Sequence, residues 1–531
     1  MQRANWILLL ALLGLPLVAL PLAPRQAPAA GGLAVLAVEP APRSLGNPLA
    51  APIVIHFDRP VAPASITPAS LAAFGRFSGP AEGAFAFSDG NATVALQPAA
   101  PLSPGERVIV SLSNQIMGAD GSSLRPGGYS FDFWTAAAAG SLQFSPNGVL
   151  DVRGDDDIPT RAYGGAATDL NNDGWLDLTI VNEDTADLRV FLNTADGTGS
   201  FHDFILPTFP VQDRASPSET ADFNADGAAD IGVVNIDANT VSILLGAGDG
   251  AFGPQQVVPV GAAPRGIAIL DANGDGQPDI ANTNWQSDNL SLLLNSGGVF
   301  SPALTITSAA AGEWGLAAAD MNEDFLADLV VGGYDAPPLI ALLAGTGAAA
   351  FTPLGDAPAG GQVWMLNAAD VNGDGHDDVV TANGFSDTGS VLLGDGQGGL
   401  GPAQLYPLDP FVLATDLGDV DGDDDLDWIA ASYSGDYQLY LNDGAGQFTF
   451  HQAFSPTIAA SCALIFDFDN DGDLDLGLID EEADEVRLME QTNPDPPPTA
   501  TATKAPPTVT PSPTPPAPAE RLWLPVVMGP A

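Results

Sequence analysis

The 531-residue chain contains one cysteine, Cys462, and four histidines. A single thiol closes no internal disulfide, and the Cys/His clusters of zinc sites are absent. An extracellular chain of this kind must be held by core burial or by metal. Basic residues are scarce too: 15 Lys and Arg stand against 66 Asp and Glu, a formal net charge of -51. Such a surface repels phosphate backbones and anionic lipid, which excludes nucleic acid as an expected partner and favours small cations. Charged residues nevertheless make up only 15% and apolar ones 45%, so general disorder is excluded. Long apolar runs are missing after the N-terminus, and no later segment reaches the roughly 18 residues of a membrane span.

What is present is punctuation. The 59 Gly and 47 Pro bound short apolar segments, which favours strands and tight turns and makes the chain all-β. Residues 1–30 carry Arg3, an apolar run from Ile7 to Leu22 and Ala27-Pro28-Ala29, the order of a secretory signal peptide. A membrane anchor is the alternative, but Pro16 and Pro21 interrupt a run already short for a bilayer. The expected location is extracellular, with retention at the cell surface open, and with no transmembrane segment after signal cleavage.

Residues 33–137 hold strand-like alternation: Ile53, Ile55 and Phe57 share one face, as do Val108, Val110 and Leu112. A β-sandwich is expected. In FDRPV, LQPAAPLSPGERVIVSL and GSSL to FDFWT this segment resembles the bacterial Ig-like domains of surface-layer and adhesion proteins, which implies a spacer or adhesion module without chemistry of its own. At the other end, residues 493–520 contain 11 Pro and 6 Thr, a disordered, extended stalk. The apolar tail 521–531 is too short to span a membrane, and Leu524-Pro525 is followed by Val-Val, so no LPxTG sorting motif is present.

Between sandwich and stalk, residues 140–492 repeat one phrase seven times. Asp-rich turns begin at Asp169, Asp222, Asp271, Asp320, Asp370, Asp419 and Asp467, about 50 residues apart, each between short apolar strands. Units of this length that cannot bury both faces alone stack around an axis, so a seven-bladed β-propeller is expected. A fourth strand is expected after each Gly-rich hairpin, as at 201–209, with 142–152, whose FSPNGVL resembles FSPALTI, adding as the outer strand that the seventh repeat lacks. Each turn places oxygen side chains at positions 1, 3, 5 and 9, and five of the seven have Gly at position 6. Calcium takes six to eight oxygens, and a loop of this alternation can wrap it. Asx-turns use the same residues without metal, but seven copies in phase with the blade favour metal. These positions hold Asp169, Asn171, Asp173 and Asp177; Asp222, Asn224, Asp226 and Asp230; Asp271, Asn273, Asp275 and Asp279; Asp370, Asn372, Asp374 and Asp378; and Asp467, Asp469, Asp471 and Asp475. Phe325 and Asp424 replace the Gly in two loops, so Asp320, Asn322, Asp324, Asp328 and Asp419, Asp421, Asp423, Asp427 are expected to be degenerate sites.

DxNxDGxxD, preceded by AAxD and followed by an apolar strand, resembles the calcium hairpin of the FG-GAP and VCBS repeat family, the seven-bladed propeller of integrin α-subunits. The resemblance implies calcium at each hairpin, between the first two strands of a blade, with the residues at positions 1, 3, 5 and 9 as its ligands.

If these loops occupy one face, the entries to the first strands and the loops after the second strands occupy the other. There the sequence gathers Arg265, Trp285, Trp314, Tyr334, Trp364, Phe385 and Tyr433, a candidate patch for a glycan or a protein, with packing around the channel mouth as the alternative. Regular Asp loops suit coordination better than acid–base work, and neither GxSxG nor HExxH occurs. Calcium-binding adhesion or recognition is therefore the expected function and an enzyme is not expected. An extracellular lyase or hydrolase is the alternative, with Arg265, Glu313 and Glu481 the place to look for it.

Overall fold

The computed structural model describes residues 31–154 and 157–491. The expected signal segment, stalk and apolar tail lie outside the described residues. Among these, helix is confined to two three-residue 3-10 turns, Pro63–Ser65 and Asp89–Asn91.

The N-terminal sandwich has two four-stranded sheets. One orders Val35–Glu39, Ile53–Phe57, Thr93–Pro98 and Gly83–Ser88; the other orders Gly79–Pro80, Leu71–Gly75, Arg107–Leu112 and Tyr129–Trp134. The period-2 pattern places Ile53, Ile55, Val108, Val110 and Leu112 at 0% exposure between the sheets, with Val94, Leu96, Phe131 and Phe133 completing the core. Each such burial stabilises by roughly 1.5–3 kcal/mol.

Seven four-stranded antiparallel sheets follow. Each opens with a seven-residue strand: Ala162–Thr168, Ala215–Ala221, Pro264–Leu270, Glu313–Ala319, Val363–Ala369, Val412–Gly418 and Ala460–Phe466. These first strands neighbour one another in order, and the last lies beside the first again, so the sheets stand round one axis. Second strands such as Asp177–Asn182 and Asp475–Asp480 are buried along their whole length because both faces of a blade meet another blade. Leu178 and Ile180 of the first sheet, for example, share a core with Ile479 and Leu488 of the seventh.

The seventh sheet takes its fourth strand from before the first repeat. Phe144–Asp151 runs antiparallel to Glu485–Gln491, with Phe144 opposite Gln491 and Leu150 opposite Val486. The fourth strand of the first sheet is shorter than the 201–209 segment suggests: the continuous ladder is Phe209–Pro210, while Phe201 bridges Asn193 and the N–H groups of His202 and Ile205 donate to Leu192 O and Val190 O. Proline offers no N–H to a ladder, and Pro207 interrupts the segment. Phe204 instead packs edge-on to Phe191, under the Arg189 guanidinium.

The sandwich rests on the Asp-loop face of the propeller. Phe77 O accepts from Asp169 N (2.8 Å), Gly274 O accepts from Asn114 N (2.7 Å), and Ser130 N donates to Phe325 O (3.0 Å). Arg43 is buried between Asp377, 2.9 Å away, and Asp320, 3.4 Å away. Arg76 forks onto Asp416 at 2.8 and 3.1 Å. Gly128, at φ +68°, lies so close to Gly274 that a Cβ would stand 3.1 Å from its Cα. The sandwich is thus no detached spacer among the described residues: its arginines and backbone engage the loops. A chamber of about 800 Å³ remains between the two, lined among others by Arg107, Asp132, Glu219 and Asp271.

Candidate functional site

Each Asp loop joins the first and second strands of its sheet, and one hydrogen-bond scheme recurs. In the first loop, Asp169 Oδ1 and Oδ2 accept from Asp173 N (3.1 Å) and Gly174 N (2.9 Å), while Asn171 Oδ1 accepts from Asp173 N (2.9 Å). Asp173 Oδ1 accepts from Trp175 N (2.9 Å). The position-9 carboxylate acts differently. Asp177 Oδ2 accepts from Leu170 N and its Oδ1 from Asn193 N, so it ties the loop to the end of the third strand. Asp230, Asp279, Asp328, Asp378, Asp427 and Asp475 repeat that tie.

The two loops without Gly keep this geometry. Phe325 and Asp424 adopt φ of 60° and 67°, and their N–H groups reach Asp320 and Asp419 as the glycines do elsewhere. Phe325 tolerates the left-handed region because its ring belongs to the sandwich core, stacked on Tyr129, while Arg125 binds its carbonyl.

The electrostatics of these loops call for a cation. Burial pushes Asp169 up to about 6, Asp177 to about 7 and Asp279 to about 8, with carboxylates of the same loop adding to each shift. Asp467 rises to about 8 through burial and then through Asp469 and Asp471. Carboxylate oxygens of Asp419, Asp421 and Asp423, and of Asp467, Asp469 and Asp471, converge within 4.8 Å. Asp421 Oδ1, Asp425 Oδ1 and both oxygens of Asp473 are buried without a hydrogen-bond partner. Orphaned hard oxygens beside crowded carboxylates fit a calcium-sized ion.

The opposite face gathers the expected aromatics. Ring centroids step from Trp285 to Trp314 (5.4 Å), to Trp364 (4.4 Å), to Phe411 (5.2 Å) and to Tyr433 (5.7 Å), with Tyr334 and Phe385 alongside. Trp314 is 6% exposed and Phe385 is 56% exposed. The arc therefore packs against itself and also presents a surface. Trp364 Nε1 donates to Tyr163 Oη at 2.9 Å. Arg265 lies over Trp314 at 4.1 Å. A charged group completes the rim: Arg161 pairs with Glu481, Arg214 with Glu183, and Tyr433 Oη donates to Glu482. Behind the rim a channel of about 140 Å³ descends past Ser216, Ser461 and Cys462 to Arg76 of the sandwich. Burial pushes the Cys462 thiol up to about 12, which leaves it unreactive.

The FG-GAP-like repeat family matches residues 169–233, 222–282, 320–381 and 419–478, and together these segments contain all seven Asp loops. The bacterial Ig-like domain family matches residues 30–135. The chain carries FG-GAP-like repeats behind a bacterial Ig-like domain. No curated protein matches it. Among solved structures it is similar to BBS1N from a complex with ARL6DN, at 13% identity over 66% of this chain and 99% of that one, with a TM-score of 0.46. A protein from Lactobacillus plantarum is 14% identical over 74% of this chain and 98% of its own, TM-score 0.43. A putative 6-phosphogluconolactonase from Bacteroides uniformis is 13% identical over 73% and 98%, TM-score 0.42. At these scores the likenesses add nothing to the strand pairing above.

FG-GAP-like repeats with an Ig-like domain are the architecture of extracellular proteins of the adhesion or recognition type. No helix among the described residues is long and apolar enough to cross a membrane. Within the FG-GAP-like loops, reading positions 1, 3, 5 and 9 overlooked Asp425 and Asp473 at position 7, visible in sequence as DGDDDLD and DNDGDLD. Phe411 of the aromatic arc was also overlooked, because it lies one residue before its strand and outside the position counted. Glu313 and Glu481 do not gather at Arg265: Glu313 accepts from Ser308 Oγ and Glu481 is held by Arg161.

Proposed function

We propose that this protein holds calcium in its seven FG-GAP-like loops and recognises an extracellular glycan or protein with the opposite, aromatic face. The observation that carries the reading is the polarity of the propeller. The loop face is covered by the sandwich, while the arc from Trp285 to Tyr433 borders one side of the open mouth of the channel. Aromatic rings supply large contact area at low entropic cost. Calcium would neutralise the buried carboxylates and so stabilise the blades that position those rings. No catalytic role is proposed, since Glu313 and Glu481 are both held by neighbours away from Arg265.

The test is a glycan and matrix-protein binding array run with calcium and with chelator, on the native chain and on Phe385→Ala and Trp364→Ala. Calcium-dependent binding that both substitutions weaken is the expected result. Binding indifferent to both residues would overturn the assignment of the face. New reducing ends or unsaturated products from a polysaccharide panel would overturn the non-enzymatic reading.

A further inference from the structure

Arg265 stands apart from every other described arginine. Of the eleven, nine hold a carboxylate within salt-bridge distance. Arg125 donates to the carbonyls of Asp324 and Phe325. Arg265 makes no hydrogen bond or ion pair with any described residue, and its Nε is buried without a partner. Its guanidinium is framed by Trp314 at 4.1 Å and Trp285 at 5.7 Å, on the wall of the channel mouth. Glu183 and Asp237 act on it only at a distance, against Arg214, and Glu183 is already held by Arg214 and Arg161.

A half-buried, unpaired guanidinium costs free energy, because cation–π contacts leave its N–H donors unused. In a chain with 66 acidic residues, a described arginine left with neither a carboxylate nor a carbonyl points to a partner from outside. The planar fork suits a carboxylate, which it binds bidentately. The rings beside it offer flat apolar faces to the C–H side of a sugar. A peptide added as a strand would instead need free backbone groups, and three N–H groups at the mouth are already taken. Trp285 N donates to Ala263 O, Tyr334 N to Gly312 O and Tyr433 N to Phe411 O, so recognition there falls to side chains.

We propose that Arg265, framed by Trp285 and Trp314, anchors one uronate carboxylate, and that the ligand is therefore a glycan that carries uronate. This rests on the recognition reading above and names its ligand class.

The experiment titrates the full chain, at fixed free calcium, with uronate oligosaccharides containing glucuronate, galacturonate, mannuronate or guluronate. Their carboxyl-reduced counterparts and poly-glutamate serve as comparison probes. Calorimetry and the fluorescence of the tryptophans beside Arg265 report binding. At least one uronate oligosaccharide is expected to bind and to lose about tenfold or more in affinity on carboxyl reduction and in Arg265→Gln. Arg265→Lys, which keeps the charge but not the fork, should fall between, and unchanged melting temperatures exclude misfolding. Equal binding of the reduced form, unchanged binding by Arg265→Gln, or a preference for poly-glutamate would overturn the proposal. In those cases recognition by the aromatic face survives as long as Phe385→Ala still weakens binding. If no probe here and nothing on the wider array binds, the recognition reading falls and this proposal with it.

Discussion

The ring of Phe325 stacks on that of Tyr129 with centroids 4.4 Å apart and planes at 15°. Phe325 occupies the turn position where five sister loops have Gly, and Tyr129 belongs to the last strand of the sandwich. The apparent defect of the fourth loop is therefore the knob on which the two domains meet. Tyr129→Ala should cost about 3–5 kcal/mol through the cavity it leaves and the lost stack. Phe325→Gly should relieve the turn yet loosen the docking. Limited proteolysis between residues 136 and 143 and small-angle scattering would report both, and resistance equal to that of the native chain would count against the interface.

This contact also marks how far sequence reading goes. The alternation of Ile53, Ile55 and Phe57 and the 50-residue period act through local backbone geometry, so sheets, blades and loops were legible. The strand Phe144–Asp151 was legible because its sequence FSPNGVL matches the outer strands of other repeats. Docking was not legible. Arg43 and Asp377 are 334 residues apart, and nothing in either neighbourhood announces the other. Phe325 read as damage to a metal loop because its compensation lies in another domain.

Calcium and structure can be separated within the loops. Asp475 accepts two buried backbone N–H groups, from Phe468 (3.2 Å) and Gln491 (2.7 Å). Asp475→Ala should cost about 2–4 kcal/mol even in chelator, because both donors lose their partner. Asp173 is exposed at position 5 of the first loop, so Asp173→Ala should lower the melting temperature in calcium and leave it nearly unchanged in chelator. An equal fall in both media, or a native chain indifferent to chelator, would sink the calcium reading.

Glu219 should give the interdomain chamber a pH signature. It faces the chamber, where its side chain stays open to solvent although protein surrounds it; desolvation within the chamber pushes it up to about 7, with Arg76 pulling down and Asp416 pushing up. Its model-peptide value is 4.5, so the folded state binds the proton more tightly than the unfolded one. Stability from this group is therefore fully present below the unfolded value and is lost as pH rises through about 7. Solvent in the chamber screens the effect, which leaves about 1 kcal/mol. Glu219→Gln should flatten denaturant midpoints between pH 5 and 8 by that amount; an unchanged slope would show that the carboxylate is well solvated.

The closure of the propeller rests on one eight-residue strand. Phe144–Asp151 covers the edge of Glu485–Gln491, and Leu150 and Phe144 pack into the cores on either side of the seventh sheet. Gln491 reinforces the junction: its Nε2 donates to Val420 O at 3.0 Å and Leu474 O at 2.8 Å, and its Oε1 accepts from Leu142 N. Without this strand the seventh sheet would present an open row of backbone groups and two half-covered cores. Replacing residues 144–151 by a Gly/Ser segment of equal length keeps the sandwich tethered and removes only the pairing. Such a chain should melt about 5–10 °C lower, as a loss of several kcal/mol implies for a domain of this size. A chain ending at Thr492 should melt as the full chain does, since the seventh sheet has its fourth strand without the residues beyond. If the Gly/Ser chain kept the native transition, the ring would be held by side-chain packing between blades alone, and the strand would be ornament rather than clasp.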